Sequence, residues 1–217
     1  MQTYNYQIIQ NKSYNEILAL QNQIRDGIIN EARPGKILMV EHQPCITFGR
    51  AEKGENLKHS FSWLEKQGFE LAQINRGGKI TYHGPGQLVL YPIVNMKDFS
   101  MGVKQFVCGL EKVMIHVCQQ YGVKAQRKEG FPGAWVNEQK KLGSVGIHVR
   151  KMVSMHGFSL NINPNLSHFD VMLPCGLDGV QMTSLAKETG NDLDFKTCFD
   201  RAKSAFEEVF SCKLTKS

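Results

Sequence analysis

The chain has 217 residues, 41% hydrophobic and 21% charged, a composition that supports a full globular core and excludes a disordered one. Its formal charge of +6 and pI near 9.0 favour an acidic or phosphate-bearing partner. The basic residues are scattered, with no Lys/Arg run longer than two, so no nucleic-acid partner is expected.

In chain order, Ile17, Leu20, Ile24 and Ile28 recur at spacings that predict an amphipathic helix from Ser13 to about Ile28. Pro34-Gly35 ends the approach, and KILMVEH reads as a buried strand. Ser60 is placed to cap a short helix running to Gln67, with Phe61 and Leu64 on its inner face; Gly68 stops it and FELAQIN returns as a strand. A glycine-rich stretch, RGGKITYHGPGQ, then precedes QLVLYPIV, giving a strand-loop-strand feature. Val103 to Tyr121 carries the longest helical stripe and Gly122 stands as its stop. FPGAWVN, KKLGSVGIHV and VSMHGFSLNI follow as short strands, separated by breaks too short for helical crossovers, which predicts an antiparallel meander. The tail from about Asp200 to Phe210 is helical again.

One domain over residues 1–217 is expected, with two small domains as the alternative at this length. The opening MQTYNYQIIQ has neither the basic start of a secretory leader nor an Arg/Ser-rich pattern, and every apolar run is too short to span a bilayer. A cytoplasmic protein with no membrane partner is the expectation. Six cysteines, at positions 45, 108, 118, 175, 198 and 212, include no CxxC pair and read as reduced thiols. No tight Cys/His spacing suggests zinc, and no metal or cofactor is expected.

Glycines let backbone approach a ligand or adopt positive φ. The glycine-rich stretch fits neither the dinucleotide-binding GxGxxG nor the phosphate-binding GxxxxGK pattern. Taken alone, Gly84-Pro85-Gly86 reads equally well as a tight turn, and Arg76 and Lys79 as solvated charges. His83, between Tyr82 and Gly84, is able to hydrogen-bond a bound group. Among the cysteines, Cys108, Cys118, Cys198 and Cys212 lie in or beside predicted helices and read as small hydrophobes. Cys45 follows Pro44 and is less defined. Cys175, bracketed by Pro174 and Gly176 outside any predicted helix or strand, suits a thiol at a pocket mouth.

From Arg76 through Gln87 the chain resembles the signature loop of the lipoyl(octanoyl) transferases: Arg-Gly-Gly, two variable positions, then Thr-Tyr-His-Gly-Pro-Gly-Gln. Further matching segments run in the same order at Glu41–Arg50, Gly133–Gly146, His156–Asn161, and Leu173-Pro174-Cys175-Gly176 with VQMTSLAKE after it. The resemblance implies an α/β fold like that of biotinyl/lipoyl-protein ligases, with a mixed, largely antiparallel sheet packed with helices. It implies transfer of an octanoyl group from octanoyl-acyl carrier protein to a lysine of lipoyl domains, in 2-oxoacid dehydrogenase complexes and the glycine cleavage H protein. Cys45, Ile46 and Phe48 depart from the residues usual in relatives, which should alter pocket shape rather than chemistry.

Carried over position by position, the family pattern makes Cys175 the acyl-accepting nucleophile and Lys141 its catalytic partner. A thiolate attacks a thioester readily and forms a new one of similar energy, so the transfer divides into two easier steps. Lys141 would take the thiol proton or stabilise the thiolate, and later deprotonate the incoming amine. Substrate contacts are expected from Arg76, Gly77, Gly78, Lys79, Ile80, Thr81, Tyr82 and His83, from Ser144, Val145 and Gly146, and from Gly157, Phe158 and Ser159. Backbone N–H groups near Gly77-Gly78 or Cys175-Gly176 are both candidates for the oxyanion, and His83 either bonds near the carbonyl or orders the loop. Two rivals stand beside this reading. An ATP-dependent lipoate-protein ligase would want a longer arginine-glycine loop and a His-Asp pair, whereas Gly84 follows His83 here. A non-catalytic acyl- or lipoyl-domain-binding protein would have no use for Cys175 and Lys141.

Overall fold

A computed structural model describes residues 1–173 and 179–217; Pro174 to Asp178, including Cys175, lie outside the described residues. The chain runs β1 (Gln2–Lys12), α1 (Tyr14–Glu31), β2 (Lys36–His42), β3 (Cys45–Phe48), α2 (Phe61–Lys66), β4 (Glu70–Gln73), β5 (Ile80–His83) and β6 (Gln87–Ile93). It continues with α3 (Val103–Gln119), β7 (Gly133–Trp135), β8 (Lys140–Arg150), β9 (Val153–Asn161), β10 (Gln181–Met182), α4 (Leu185–Thr189), α5 (Phe195–Phe210) and β11 (Cys212–Lys216).

Among the described residues the main sheet has the order β10-β8-β9-β6-β2-β1-β11, with β7 also paired to β8. Its β8–β9, β9–β6, β6–β2 and β7–β8 pairings are antiparallel, while β1 runs parallel to both β2 and β11. Both faces of the central strands are covered, so their side chains are apolar without alternation. On β2, Ile37 and Met39 face α3 and α5, whereas Leu38 and Val40 face Ile17, Leu20 and Ile24 of α1. β6 repeats the division with Leu88 and Leu90 on one side and Val89, Tyr91 and Ile93 on the other. Helix α1 begins with a reciprocal cap in which Ser13 Oγ accepts the Glu16 N–H and the Glu16 carboxylate accepts the Ser13 N–H.

The smaller sheet, β4-β3-β5, stands beside the large one. Ile46, Phe48, Ile80 and Tyr82 point to a separate core with Leu64, Phe69, Phe169 and Met172. Cys45, Thr47, Thr81 and His83 therefore fall on the opposite side of β3 and β5.

The expected meander is present as β7, β8 and β9. Other expectations need correction. Ile80–His83 is itself a strand, paired antiparallel to β3, so the glycine-rich stretch is a strap, a strand and a turn. The FELAQIN strand covers only Glu70–Gln73. Leu64 is fully buried on α2, but Phe61 is 47% exposed, its ring resting edge-on against Phe48 at 5.5 Å. Helix α5 begins at Phe195, a turn and more before Asp200, because Asp194 caps it by accepting the Thr197 N–H.

Candidate acyl-transfer site

Where β5 of the small sheet passes over β8 and β9 of the large one, the two sheets leave a cavity of about 310 Å³. Small residues keep it open. Ser144 and Gly146 from β8 meet Gly157 and Ser159 from β9 along its floor. A Cβ on Gly146 would stand 3.1 Å from Arg76 Cδ and 3.2 Å from Gly77 O, inside the strap that crosses above it. That strap is tied to the large sheet by the Gly77 N–H donating to Ile147 O at 3.2 Å. It is tied to the small sheet by Arg76, whose guanidinium donates to Thr47 O at 3.0 Å and Thr47 Oγ1 at 2.9 Å.

Adjacent lysines on β8 have opposite fates, as a strand requires. Lys140 reaches outward to Glu188 at 3.4 Å, whereas Lys141 is 3% exposed and lines the cavity. Its ammonium lies 5.0 Å from the centre of the buried Trp135 ring, and its aliphatic stem passes over Gly133, where a Cβ would come within 2.9 Å of Cε. The backbone there is pinned from the far side, since Lys141 pairs with Met182 of β10 and its carbonyl accepts the Thr183 N–H at 3.0 Å.

The other polar residues of the wall are uncharged apart from Arg76 and Lys79. Tyr14, His83, Tyr91 and His156 all line the cavity. Tyr14 OH lies 3.3 Å from His156 Nδ1, the Tyr14 and His83 rings stack at 6.0 Å, and His42 Nε2 lies 3.0 Å from Tyr91 OH. Burial drives these histidines neutral, holding His42 and His156 down to about 3 and His83 to about 4. The nearby Arg76 charge works in the same direction on His83 and His156. His156 also has φ of 58°, an uncommon conformation for a side chain other than glycine, and its N–H donates to Gln21 Oε1 at 2.9 Å.

Of the positions singled out in the sequence, Arg76, Gly78, Lys79, Ile80, Thr81 and His83 line the cavity together with Lys141. Ser144, Val145, Gly146, Gly157, Phe158 and Ser159 line it from the floor. Gly77 serves the strap through its backbone. Tyr82 points the other way, into the small core, where its hydroxyl lies 2.8 Å from His168 Nδ1. Cys175 falls in the segment outside the described residues. Cys45, Cys118, Cys198 and Cys212 have their thiols pushed up by burial, and Cys45 is packed beside Tyr14, Ala72 and Ile74. Tyr14, Tyr91, Gly130, Phe131 and Pro132 were not foreseen as wall residues. Tyr14 and Tyr91 belong to elements read as amphipathic or buried, and nothing local marks a core tyrosine that faces a cavity.

The lipoyl protein ligase A/B catalytic domain family matches residues 13–207. An octanoyltransferase of Alkaliphilus metalliredigens (strain QYMF) is 40% identical over 198 residues, covering 89% of this chain and 89% of its own. Among solved structures, lipoate-protein ligase A bound with ATP superposes with a TM-score of 0.80 at 12% identity, covering 100% of this chain and 89% of that one. The biotin protein ligase from Aquifex aeolicus does so at 0.54 and 14% identity, covering 97% and 69%. These two likenesses speak for the fold alone, a mixed α/β arrangement of the biotin/lipoate-protein-ligase kind, as the sequence resemblance implied. With the family match and the octanoyltransferase similarity spanning nearly the whole length, the chain belongs to the lipoyl protein ligase A/B catalytic family as an octanoyl/lipoyl-transferring enzyme.

Proposed function

We propose that the chain transfers an octanoyl group from octanoyl-acyl carrier protein to the lysine amine of lipoyl domains through a thioester on Cys175, with residues 1–217 acting as one catalytic domain. The observation that carries the reading is Lys141, buried at 3% exposure on the wall of a narrow cavity floored by Ser144, Gly146, Gly157 and Ser159. A buried amine beside a slot shaped for an acyl chain is the partner that a thiol nucleophile needs. The parallel pairing of β1 with β11 supports the single domain, since it joins both ends of the chain in one sheet.

In the first step Lys141 takes the proton of Cys175, and the sulfur attacks the carrier thioester carbon. A new C–S bond forms, the carrier's C–S bond breaks, and the carrier thiolate leaves with the proton returned by Lys141. In the second step the target amine forms the C–N bond while the Cys175 C–S bond breaks. The surplus amine proton passes through Lys141 to the departing sulfur. The acceptors are the lipoyl domains of 2-oxoacid dehydrogenase complexes and the glycine cleavage H protein. No described helix is long and apolar enough to cross a membrane, and chemistry that relies on a free thiol fits a reducing, cytoplasmic setting.

Mixing the protein with octanoyl-acyl carrier protein, without ATP or acceptor, should add one octanoyl mass that peptide mapping assigns to Cys175. Cys175→Ser should show no adduct. Labelling of a lipoyl domain only when octanoate or lipoate is supplied with ATP would replace this reading with the ligase.

A further inference from the structure

A chain of buried side-chain amides ends on His83. Gln87 at the start of β6 and Asn161 at the end of β9 are each 1% exposed and pair across the two strands. Asn161 Nδ2 donates to Thr183 O at 2.9 Å, while Gln87 Nε2 donates to Tyr82 O at 3.2 Å and to Asn161 Oδ1 at 2.9 Å. Backbone carbonyls only accept hydrogen bonds, so Tyr82 O and Thr183 O fix which way each amide faces. Gln87 must then turn its Oε1 to His83 Nδ1, 2.6 Å away. That oxygen also only accepts, which places the imidazole hydrogen on Nδ1. A neutral ring carries one N–H, so Nε2 keeps its lone pair. Among the described residues nothing hydrogen-bonds Nε2, and His83 is a cavity wall.

We propose that Gln87 is a positioning residue that locks His83 in the Nδ1-protonated tautomer, so that His83 Nε2 accepts a hydrogen bond from the incoming lysine amine. This rests on the transfer reading above. Of the groups that react in the aminolysis step, where Cys175 is already a thioester, the octanoyl carbonyl offers only acceptor oxygen, whereas the amine carries N–H bonds. Holding one of them aims the nitrogen lone pair toward the acyl carbon. A lone pair facing the cavity repels a developing oxyanion, so His83 does not serve as that donor. The neutral form that the lock requires agrees with burial and the Arg76 charge depressing the basicity of His83. The amide chain also reaches the catalytic strand, because Thr183, whose carbonyl anchors Asn161, donates its N–H to Lys141 O at 3.0 Å.

Long-range proton–nitrogen correlation spectra of the full chain labelled in histidine should show His83 with Nδ1 protonated and Nε2 unprotonated at neutral pH. The reverse pattern would overturn the lock, whether or not the protein transfers acyl groups. In Gln87→Leu, His83 should become a mixture of tautomers while the other histidine signals hold their positions. In single-turnover measurements on that variant, the ratio of aminolysis to Cys175 acylation rates should fall about tenfold. An unchanged ratio would refute the role assigned to the amine contact. A wild-type protein that forms no Cys175 thioester would sink the transfer reading and the amine role with it, while the tautomer spectrum would still decide the lock.

Discussion

Gly157→Ala should unfold the floor of the cavity, and the expected size follows from one distance. A Cβ at this position would stand 2.0 Å from Leu90 O and 2.8 Å from Pro92 Cδ. Ordinary contact begins at 3.4 Å, so the shortfall against the carbonyl is about 1.4 Å. Leu90 O is main chain in the middle of the sheet and cannot swing aside as a side chain would. Relief requires β9 to part from β6 along the stretch where Gln87 to Leu90 pairs with Asn161 to Phe158. Overpacking strain of about 1–3 kcal/mol joins the weakening of ladder bonds worth about 1 kcal/mol each. A loss of about 3 kcal/mol is expected, a large share of the roughly 5–15 kcal/mol that holds a domain folded.

Gly77→Ala supplies the matched control. Its added Cβ would meet nothing nearer than Ile147 O at 3.9 Å, and stability should stay within about 0.5 kcal/mol of wild type. Urea unfolding followed by circular dichroism, with the slope fitted alongside the midpoint, separates the two. Equal midpoints for Gly157→Ala and wild type, or equal losses for the two glycine variants, would refute the reasoning.

Lys141→Met keeps an unbranched stem against Trp135 and removes the amine, so octanoyl transfer should fall by about a hundredfold or more while the unfolding midpoint moves little; a single-turnover assay with urea unfolding checks both. Stability should also decline on acidification. His42 and His156 are held to about 3 and His83 to about 4 in the folded chain, against 6.5 when free. Below about pH 6.5 the unfolded chain binds protons that the folded one refuses, lowering the unfolding free energy by up to about 1.4 kcal/mol per pH unit for each histidine. Urea midpoints that stay flat from pH 7 to pH 5 would contradict this. Ser13→Ala removes the acceptor for the Glu16 N–H and should cost about 1 kcal/mol in the same unfolding assay.

The fold was legible where periodicity was strong and local. Helix α3 and the β7-β8-β9 meander need only neighbours in sequence to declare themselves. β1 and β11 escaped notice because their meaning is non-local: Tyr4 and Leu214 are buried core residues, yet they become so only when opposite ends of the chain pair. β3 was hidden for a related reason. Its four residues are too few to show a period, and Ile46 and Phe48 face one core while Cys45 and Thr47 face another environment. At the site, glycine spacing and the family pattern pointed to the strap and floor. The pattern also grouped Tyr82 with the substrate contacts, although alternation along β5 sends it to the other side from Thr81 and His83. Tyr14 was invisible in this role, since it is the first residue of a helix more than fifty positions from the glycine stretch.

The two sheets that flank the cavity are stitched together through Arg76, one of the buried cations in its wall. Arg76 is bound through Thr47 to the small sheet, and its own segment is bound through Gly77 and Ile147 to the large one. An apolar side chain in its place would keep the volume but lose both the stitch and the charge. The charge has a second consequence, for it adds to burial in keeping His83 and His156 neutral. A thioester and its acyl chain are uncharged, and a wall of imidazolium groups around them would draw in water and counter-ions, whereas neutral rings line the slot at little desolvation cost. The same arginine thus joins the two sheets at the slot and adds to burial in keeping its wall neutral, which ties the geometry of the glycine strap to the electrostatics beside Lys141.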